Sequence, residues 1–480
     1  MKKMNLLVMS LISAAALSFT SCSSNDELDD KNAGQNKVDK FYMTLTVQTP
    51  TSNGTRTAQK NPKVASKEES YVTSGTFYLV DANGKIAKSI TIDEKAWADA
   101  KVPQQGTDGK TTLQVPVENV TAGTKYSVYF LANATSASPL TDVYTSDLAN
   151  KFAKAYSADN KFAMFNQNDA DVKANSHTVV FTSDNKDANS AAKVSDIIKI
   201  DRLTARIDEP TSEATEIKAY AKDAKATEAE KKANEDAIKA VKGVTLTRYA
   251  ISNVANKTNV MQQWTDATTL SIPTGITYFQ PTSEFGTKTL LQNYGYFNAV
   301  TTDKSNKDYV FENNSDDATS MYFEYTVELN KDYKTNADFE DGTFYRYNKV
   351  IYSRIQDIIN DYKDQKAIFD GKDADTVVKE LKDAQAGPDS EAKLDEFRKK
   401  YDIEVFNNGK TYYVQKIKDQ YLNAENTIQR NSIYLLNVKN IFNVGAQVPN
   451  GGPDDRTLYY LEVEVSVNPW VLNSYDVDLK

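Results

Sequence analysis

Short runs in which every second residue is apolar recur along this chain, and they restrict its fold more than any other feature does. Phe41, Met43, Leu45 and Val47 alternate with Tyr42, Thr44, Thr46 and Gln48, and Pro50 ends the run. A repeat of two is that of a strand with one buried face. Similar runs at 76–80, 86–92, 112–117, 126–132, 178–182 and 197–207 are separated by turn-forming residues, a pattern that predicts an antiparallel β-sandwich. Strand signals resume at 244–254, 321–329, 344–347, 411–417, 433–438, 458–467 and 471–479. The chain therefore reads as mainly β, with two sandwich domains and helical insertions, the first domain ending near Asp208.

The helical signals are fewer. One stretch is expected near 148–156. The block 213–242 is rich in Ala, Lys and Glu, carries Ala233, Ala237 and Val241 at helical spacing, and places Thr227 and Glu230 as a capping box. Ile351, Ile355, Ile358 and Tyr362, then Leu394, Phe397 and Tyr401, recur three and four residues apart and predict amphipathic helices laid against a sheet.

Cys22 is the only cysteine among 480 residues, so no disulfide can staple the fold. Its position is informative. Lys2 and Lys3 precede an apolar stretch at 6–17, and small residues lead to Cys22, which is the layout of a secretory signal that ends at a lipidated cysteine. That stretch is too short for a stable membrane span. Residues 1–22 are thus expected to be a lipoprotein signal, with an acidic tether (Asp26, Glu27, Asp29, Asp30) following diacylated Cys22.

A net charge of −9 argues against a nucleic-acid partner. A single histidine, His177, rules out multi-histidine metal sites and leaves one candidate base for any Ser/His/Asp triad, in a polar stretch that suits a turn or strand edge. Residues 106–111 imitate the end of a phosphate loop, but Gln104 stands where the first glycine should be, and Asp108-Gly109 reads better as a turn entering a strand. The Asp/Asn clusters at 166–171 and 313–317 lack the spacing of a calcium loop. No cofactor, metal or catalytic constellation is expected, and an enzyme is the least favoured reading.

The two ends match each other. After the first strand comes a loop with Thr51, Ser52, Asn53 and Gly54 before Arg56, a composition that favours proteolytic access. At the other end, Leu461, Val463, Val465 and Val467 form a strand that is expected to stop at Asn468-Pro469, with Trp470 at the corner. Beyond it Val471, Tyr475, Val477 and Leu479 share a face, nearly the pattern of 41–47. Either segment could fill one slot in a sheet, and a strand cut away after Arg56 would leave an apolar groove with unpaired backbone that invites a replacement. Four such side chains bury about 6–12 kcal/mol as an upper bound. From pattern alone, a tail folded into its own domain and an ordinary linker arginine are equally good readings.

Specific residues resemble the fimbrillins of Bacteroidales, subunits of donor-strand (type V) pili, and within that family the shaft subunits of the short (minor) fimbriae. They are the run 463–479 with Asn468-Pro469-Trp470 and Asn473-Ser474-Tyr475-Asp476, then Arg430-Asn431-Ser432-Ile433-Tyr434 leading to Val444-Gly445, and 197–207 with Arg202 and Ala205. The resemblance implies two transthyretin-like β-sandwich domains and a lipidated precursor carried to the cell surface. It also implies cleavage by an arginine-specific, trypsin-like protease at Arg56-Thr57, although Lys60 and Lys63 are nearby alternatives. Assembly would follow as the C-terminal strand of one subunit completes the next. The expected divisions are the signal (1–22), a propeptide with a removable strand (23–56), two sandwich domains (57–210 and 211–469) and a donor strand (470–480). The implied partners are identical subunits, accessory anchor and tip subunits, and the outer membrane through the precursor's lipid, with adhesion as the role. Other readings are an anchor or tip subunit, or a surface lipoprotein that binds glycans through its 28 tyrosines.

Overall fold

The first alternating run becomes the strand Lys40–Gln48, whose even positions from Tyr42 to Gln48 are half-exposed and whose odd positions from Phe41 to Val47 are buried. A computed structural model gives the arrangement for residues 39–50, 63–66, 68–102, 109–134, 140–149, 153–159, 161–167, 177–221, 224–266, 269–279, 297–365, 368–419, 422, 427–449 and 460–471. Cys22, Arg56, Thr57, Tyr475, Val477 and Leu479 lie outside the described residues.

Lys40–Gln48 runs antiparallel to Lys110–Glu118 over its whole length, from Lys40 opposite Glu118 to Gln48 opposite Lys110. Its other edge is paired in parallel with Ala192–Lys193 and then with Ile198–Arg202. From there the sheet continues through Met164–Asn166, Lys125–Ala132 and Gly75–Val80 to an edge strand, Ile86–Ile92. Inward residues of these strands form the first core, with Phe77, Val115, Phe130 and Ile200 around the four apolar residues of the first strand. The short helix Glu94–Ala100, started by the Asp93 side chain accepting from the Ala96 amide, adds Trp97, which stacks on Phe130 at 5.6 Å.

The chain crosses to a second core at Leu203 and Thr204. Ile198–Arg202 belongs to the first sheet, whereas Ala205–Asp208 pairs with Lys307–Val310 and with Ser432–Ile441. A further sheet, in the order Asn298–Ala299, Val241–Ser252, Ser320–Leu329 and Lys410–Lys416, faces the same apolar cluster, in which Phe323, Tyr325, Tyr434 and Leu436 are buried. The fold is mainly β, with sandwich-like sheets. Between the neighbouring strands Ser320–Leu329 and Lys410–Lys416 the chain inserts the helices Ile355–Asp361, Ala374–Gln385 and Ser390–Tyr401, which bury a third cluster together with Tyr345, Tyr352 and Val405.

Several local expectations are corrected. The capping box is present, with Thr227 and Glu230 bonded reciprocally, but the helix it starts spans Glu228–Ala240 only, and Val241 already opens a strand. The described residues within 148–156 form no α-helix. Asp147–Ala149 pairs with Lys257–Asn259, and a single 3-10 turn, Ala153–Tyr156, follows; pairing with a distant strand overrides a locally helix-friendly composition. Ile351 sits in the strand Val350–Tyr352, because Asn348 and Lys349 both take positive φ, 46° and 70°, and make a tight two-residue hairpin with Phe344–Tyr347.

Pro469 does not stop the last described strand, which runs Leu461–Val471 antiparallel to Ser432–Ile441. Amides alternate sides along a strand, and it is the Trp470 amide that donates towards this partner, to the Asn431 carbonyl at 3.2 Å. The position without a donor therefore faces the other edge, where it costs no bond to the partner strand.

Candidate functional site

Phe41, Met43, Leu45 and Val47 are 1%, 0%, 2% and 2% exposed, so all four lie inside the first core. One edge of their strand is fully paired. The other is interrupted: Ala192–Lys193 pairs beside Met43 and Thr44, Ile198–Arg202 beside Val47 and Gln48, and between them a cavity of about 260 Å³ opens against Thr44, Leu45 and Thr46. A strand seated this way fills a slot whose opposite wall is the edge of Lys110–Glu118. Its withdrawal would expose that edge together with an apolar trough.

Trp470 lies within its own chain in this structure. Expected as the first residue of a donor segment, it is completely buried within its own chain, at the crossing between the two cores. The Arg202 guanidinium lies 4.2 Å from its ring centroid, Tyr309 stacks on it at 5.8 Å, and Phe162 meets it edge-on at 5.5 Å. Arg202, itself fully buried, donates to the Trp470 carbonyl at 2.8 Å, the Asn431 side chain at 2.9 Å, the Glu69 carbonyl at 2.8 Å and the Ser70 hydroxyl at 3.0 Å. Burial pushes its guanidinium down to about 9, against the pull of Glu69 and Asp201. It therefore remains a cation at neutral pH.

Glu69 is the counter-charge. It is 1% exposed, and Arg206 donates to both of its carboxylate oxygens at 2.9 Å. The Tyr309 hydroxyl at 2.9 Å, the Lys307 ammonium at 3.2 Å, the Ser66 amide at 2.8 Å and the Trp470 indole N–H at 3.2 Å complete the set. Burial on its own would raise this carboxyl. Arg206, the Ser66 amide, Lys307 and Tyr309 outweigh it and hold the group at about 2. Arg206 keeps a second partner, Asp208, at 2.7 Å.

Glu69 lies a few residues beyond Lys63 in the chain. Lys63–Val64 forms a short parallel pairing with the end of the last strand, Lys63 opposite Trp470 and Val64 opposite Val471. The turn at 68–70 then carries Glu69 beneath the indole. Asn431 supports the arrangement from the other side. Its φ of 56° turns its side chain to donate to Asp201 at 3.0 Å while accepting from Arg202, and its amide bonds the Thr204 carbonyl at 2.9 Å. Arg430 beside it is buried against Glu312 at 2.7 Å and donates to the Val260 carbonyl at 2.9 Å and the Thr258 hydroxyl at 3.0 Å. Arg202, Arg430 and Asn431, singled out in the sequence by resemblance alone, thus converge on one crossing. Glu69, Arg206 and Tyr309 carried no local signal, since their partners are remote in sequence.

His177 precedes the strand Thr178–Val180, at a strand edge, and burial pushes its imidazole down. Among the described residues no group of acidic, histidine or cysteine side chains is placed to hold a metal ion. Val471 is the last described residue, so the described part of the expected donor segment is rooted in its own subunit.

Residues 404–476 match the family model described as major fimbrial subunit protein type IV, fimbrillin, C-terminal. No curated protein sequence matches the chain. Among solved structures, a candidate cell adhesion protein of Parabacteroides distasonis is 13% identical, with 91% of this chain and 98% of that one covered and a TM-score of 0.45. A fimbrilin of Porphyromonas gingivalis is 14% identical, covering 90% and 98%, with a TM-score of 0.42. A C-terminally truncated tip fimbrial protein of the same species is 10% identical, covering 90% and 100%, with a TM-score of 0.34.

Proposed function

We propose that this chain is the structural shaft subunit of a cell-surface fimbria, exported as a precursor lipidated at Cys22, cut between Arg56 and Thr57, and joined to its neighbours by strand replacement. The strand carrying Phe41, Met43, Leu45 and Val47 is removed, and the segment after Val471 of another copy, with Tyr475, Val477 and Leu479 on one face, takes its slot. The fimbrillin C-terminal match over 404–476 supports a fimbrial role. The observation that carries the reading is the seating of the first strand: four buried apolar side chains and nine paired positions along one neighbour, with an interrupted ladder on the other edge.

The physics of the step is mass action. While covalently attached, the first strand competes for its slot at an effective concentration of the order of millimolar. Cleavage after Arg56 turns it into a separate ligand that can be lost by dilution, whereas the replacement arrives attached to a whole subunit. The contact is head-to-tail and does not close on itself, so its product is a filament. Transthyretin-like topology of the two sandwiches belongs to the same proposal, as do accessory anchor and tip subunits.

The decisive experiment is mass spectrometry of surface filaments. A mature N-terminus at Thr57, with 41–48 absent, is expected; acylated Cys22 in the assembled fibre would instead make the chain an anchor. Deleting 472–480, or Arg56→Ala, should leave monomers, and long polymers from either variant would sink the proposal.

A further inference from the structure

The segment that begins the mature chain, on the proposed processing, is also the one that grips the end of the last strand. Lys63 and Val64 pair with Trp470 and Val471, and Glu69 receives the Trp470 indole N–H while neutralising Arg206. Arg202 bridges the two sides, donating to the Glu69 and Trp470 carbonyls. Nothing in strand replacement as such requires this. A donor segment beginning at Trp470 would have to leave the crossing, exposing a fully buried indole and leaving Arg202 and Glu69 short of partners, which is unfavourable for buried charges.

We infer that residues 63–66 and 68–70 are a clasp that stays closed during assembly and fixes the root of the C-terminal segment at Trp470 and Val471, with Glu69, Arg202 and Trp470 as positioning residues for subunit joining. The exchanged segment then starts at residue 472. Trimming must end before Lys63, because a cut beyond it removes the parallel partner of Trp470 and detaches Glu69 from its neighbour strand. Of the basic positions around the loop, Arg56 and Lys60 leave the clasp intact and Lys63 does not.

This inference rests on the reading of the chain as a cleaved, strand-exchanging subunit, and two measurements separate their fates. Val64 and Val471 stand directly opposite each other, so a Val64→Cys, Val471→Cys double variant of the full chain can be locked by oxidation. Filament yield from the oxidised form should lie within twofold of the reduced form. Filaments from the reduced form, with the oxidised form blocked more than tenfold, would show that the root must open and would overturn the clasp. Should the unaltered chain form no filaments, the strand-exchange reading falls. The clasp is then still decided by hydrogen exchange over 461–471, which should quicken at least tenfold in Glu69→Ala. The same acceleration is expected in Trp470→Phe, which keeps the aromatic packing and loses the indole N–H. Unchanged exchange in both variants would overturn the clasp.

Discussion

Glu69→Ala tests the charge arrangement at the crossing. The substitution removes the acceptor for both N–H···O bonds from Arg206 and for the Tyr309, Ser66 and Trp470 donors. Removing one partner of a buried pair costs about 3–5 kcal/mol. Arg206 retains Asp208, so the lower end, about 3 kcal/mol, applies. The depressed carboxyl leads to a similar figure. Glu69 is lowered from 4.5 to about 2, and a shift of that size is worth about 3 kcal/mol at neutral pH. The sign follows from the direction. A carboxyl with a depressed folded-state pKa adds stability above its unfolded value, and that stability fades as pH falls from 4.5 towards 2. Urea denaturation of both proteins at pH 7, 4.5, 3 and 2 should show a gap of about 3 kcal/mol at the two higher values, narrowing to about 1 kcal/mol or less at the lowest. Glu68→Ala, at an exposed position one residue away, serves as the control and should stay within about 0.5 kcal/mol of the parent. A gap below about 1 kcal/mol at pH 7, or one that does not change through the acid range, would show that Glu69 does not hold the crossing by its charge.

Three further outcomes are expected. Gly445→Ala should be destabilised by about 1–3 kcal/mol, because an added Cβ would lie 2.3 Å from the Tyr412 carbonyl oxygen and 2.8 Å from the Tyr413 ring; a thermal melt matching the parent would contradict this. Thr227→Ala should cost about 1 kcal/mol by removing the capping box, read as faster amide exchange in Glu228–Ala240, with filament formation unchanged. Leu113→Asp, which puts a charge opposite Leu45 in the first slot, should prevent either strand from occupying it, so that soluble folded precursor falls sharply; normal yield and normal filaments would argue that the slot is not used.

The strands were legible because alternation is a local property that survives whatever a strand is paired with. Ser320–Leu329 and Ser432–Ile441 fall close to where period two puts them. The cap at Thr227 was legible for the same reason, since both of its partners lie within four residues. Misreadings arose where a distant partner decided. Asp147–Ala149 is a strand only because Lys257–Asn259 lies beside it, and Pro469 stays in a ladder only because its missing donor faces away from Ser432–Ile441. The helix Ala374–Gln385 was readable from Asp373 as its cap and from Ala374, Val377, Leu381 and Ala384 on one face, yet its polar surroundings masked it. The crossing itself was beyond reach of the sequence. Glu69 meets Arg206 across 137 residues and Trp470 across 401, and a glutamate in a Lys/Glu/Ser stretch carries no mark of burial.

The two ends of the described chain are held by different physics, and the difference bears on which of them can move. The strand Lys40–Gln48 is kept by apolar burial and by backbone pairing that any strand of similar pattern can reproduce, since neither term depends on side-chain identity beyond size and alternation. Replacing it with another alternating strand is therefore close to an even exchange, and the outcome is settled by concentration and covalent attachment. Trp470 is held by directional contacts to Arg202, Glu69 and Tyr309 that no substitute strand would reproduce, and its departure would leave buried charges short of partners. The proposed strand exchange calls for both kinds of attachment: a generic one where segments are swapped, and a specific one where the swapped segment is rooted. On this argument a mutation that weakens the first slot should alter how fast filaments form, whereas one that weakens the crossing should alter whether the joined subunits hold a fixed orientation. Filament persistence length in Trp470→Phe, compared with that in a Leu45→Ala precursor, separates the two; an equal loss of stiffness in both would mean that the roots and the slots are not mechanically distinct.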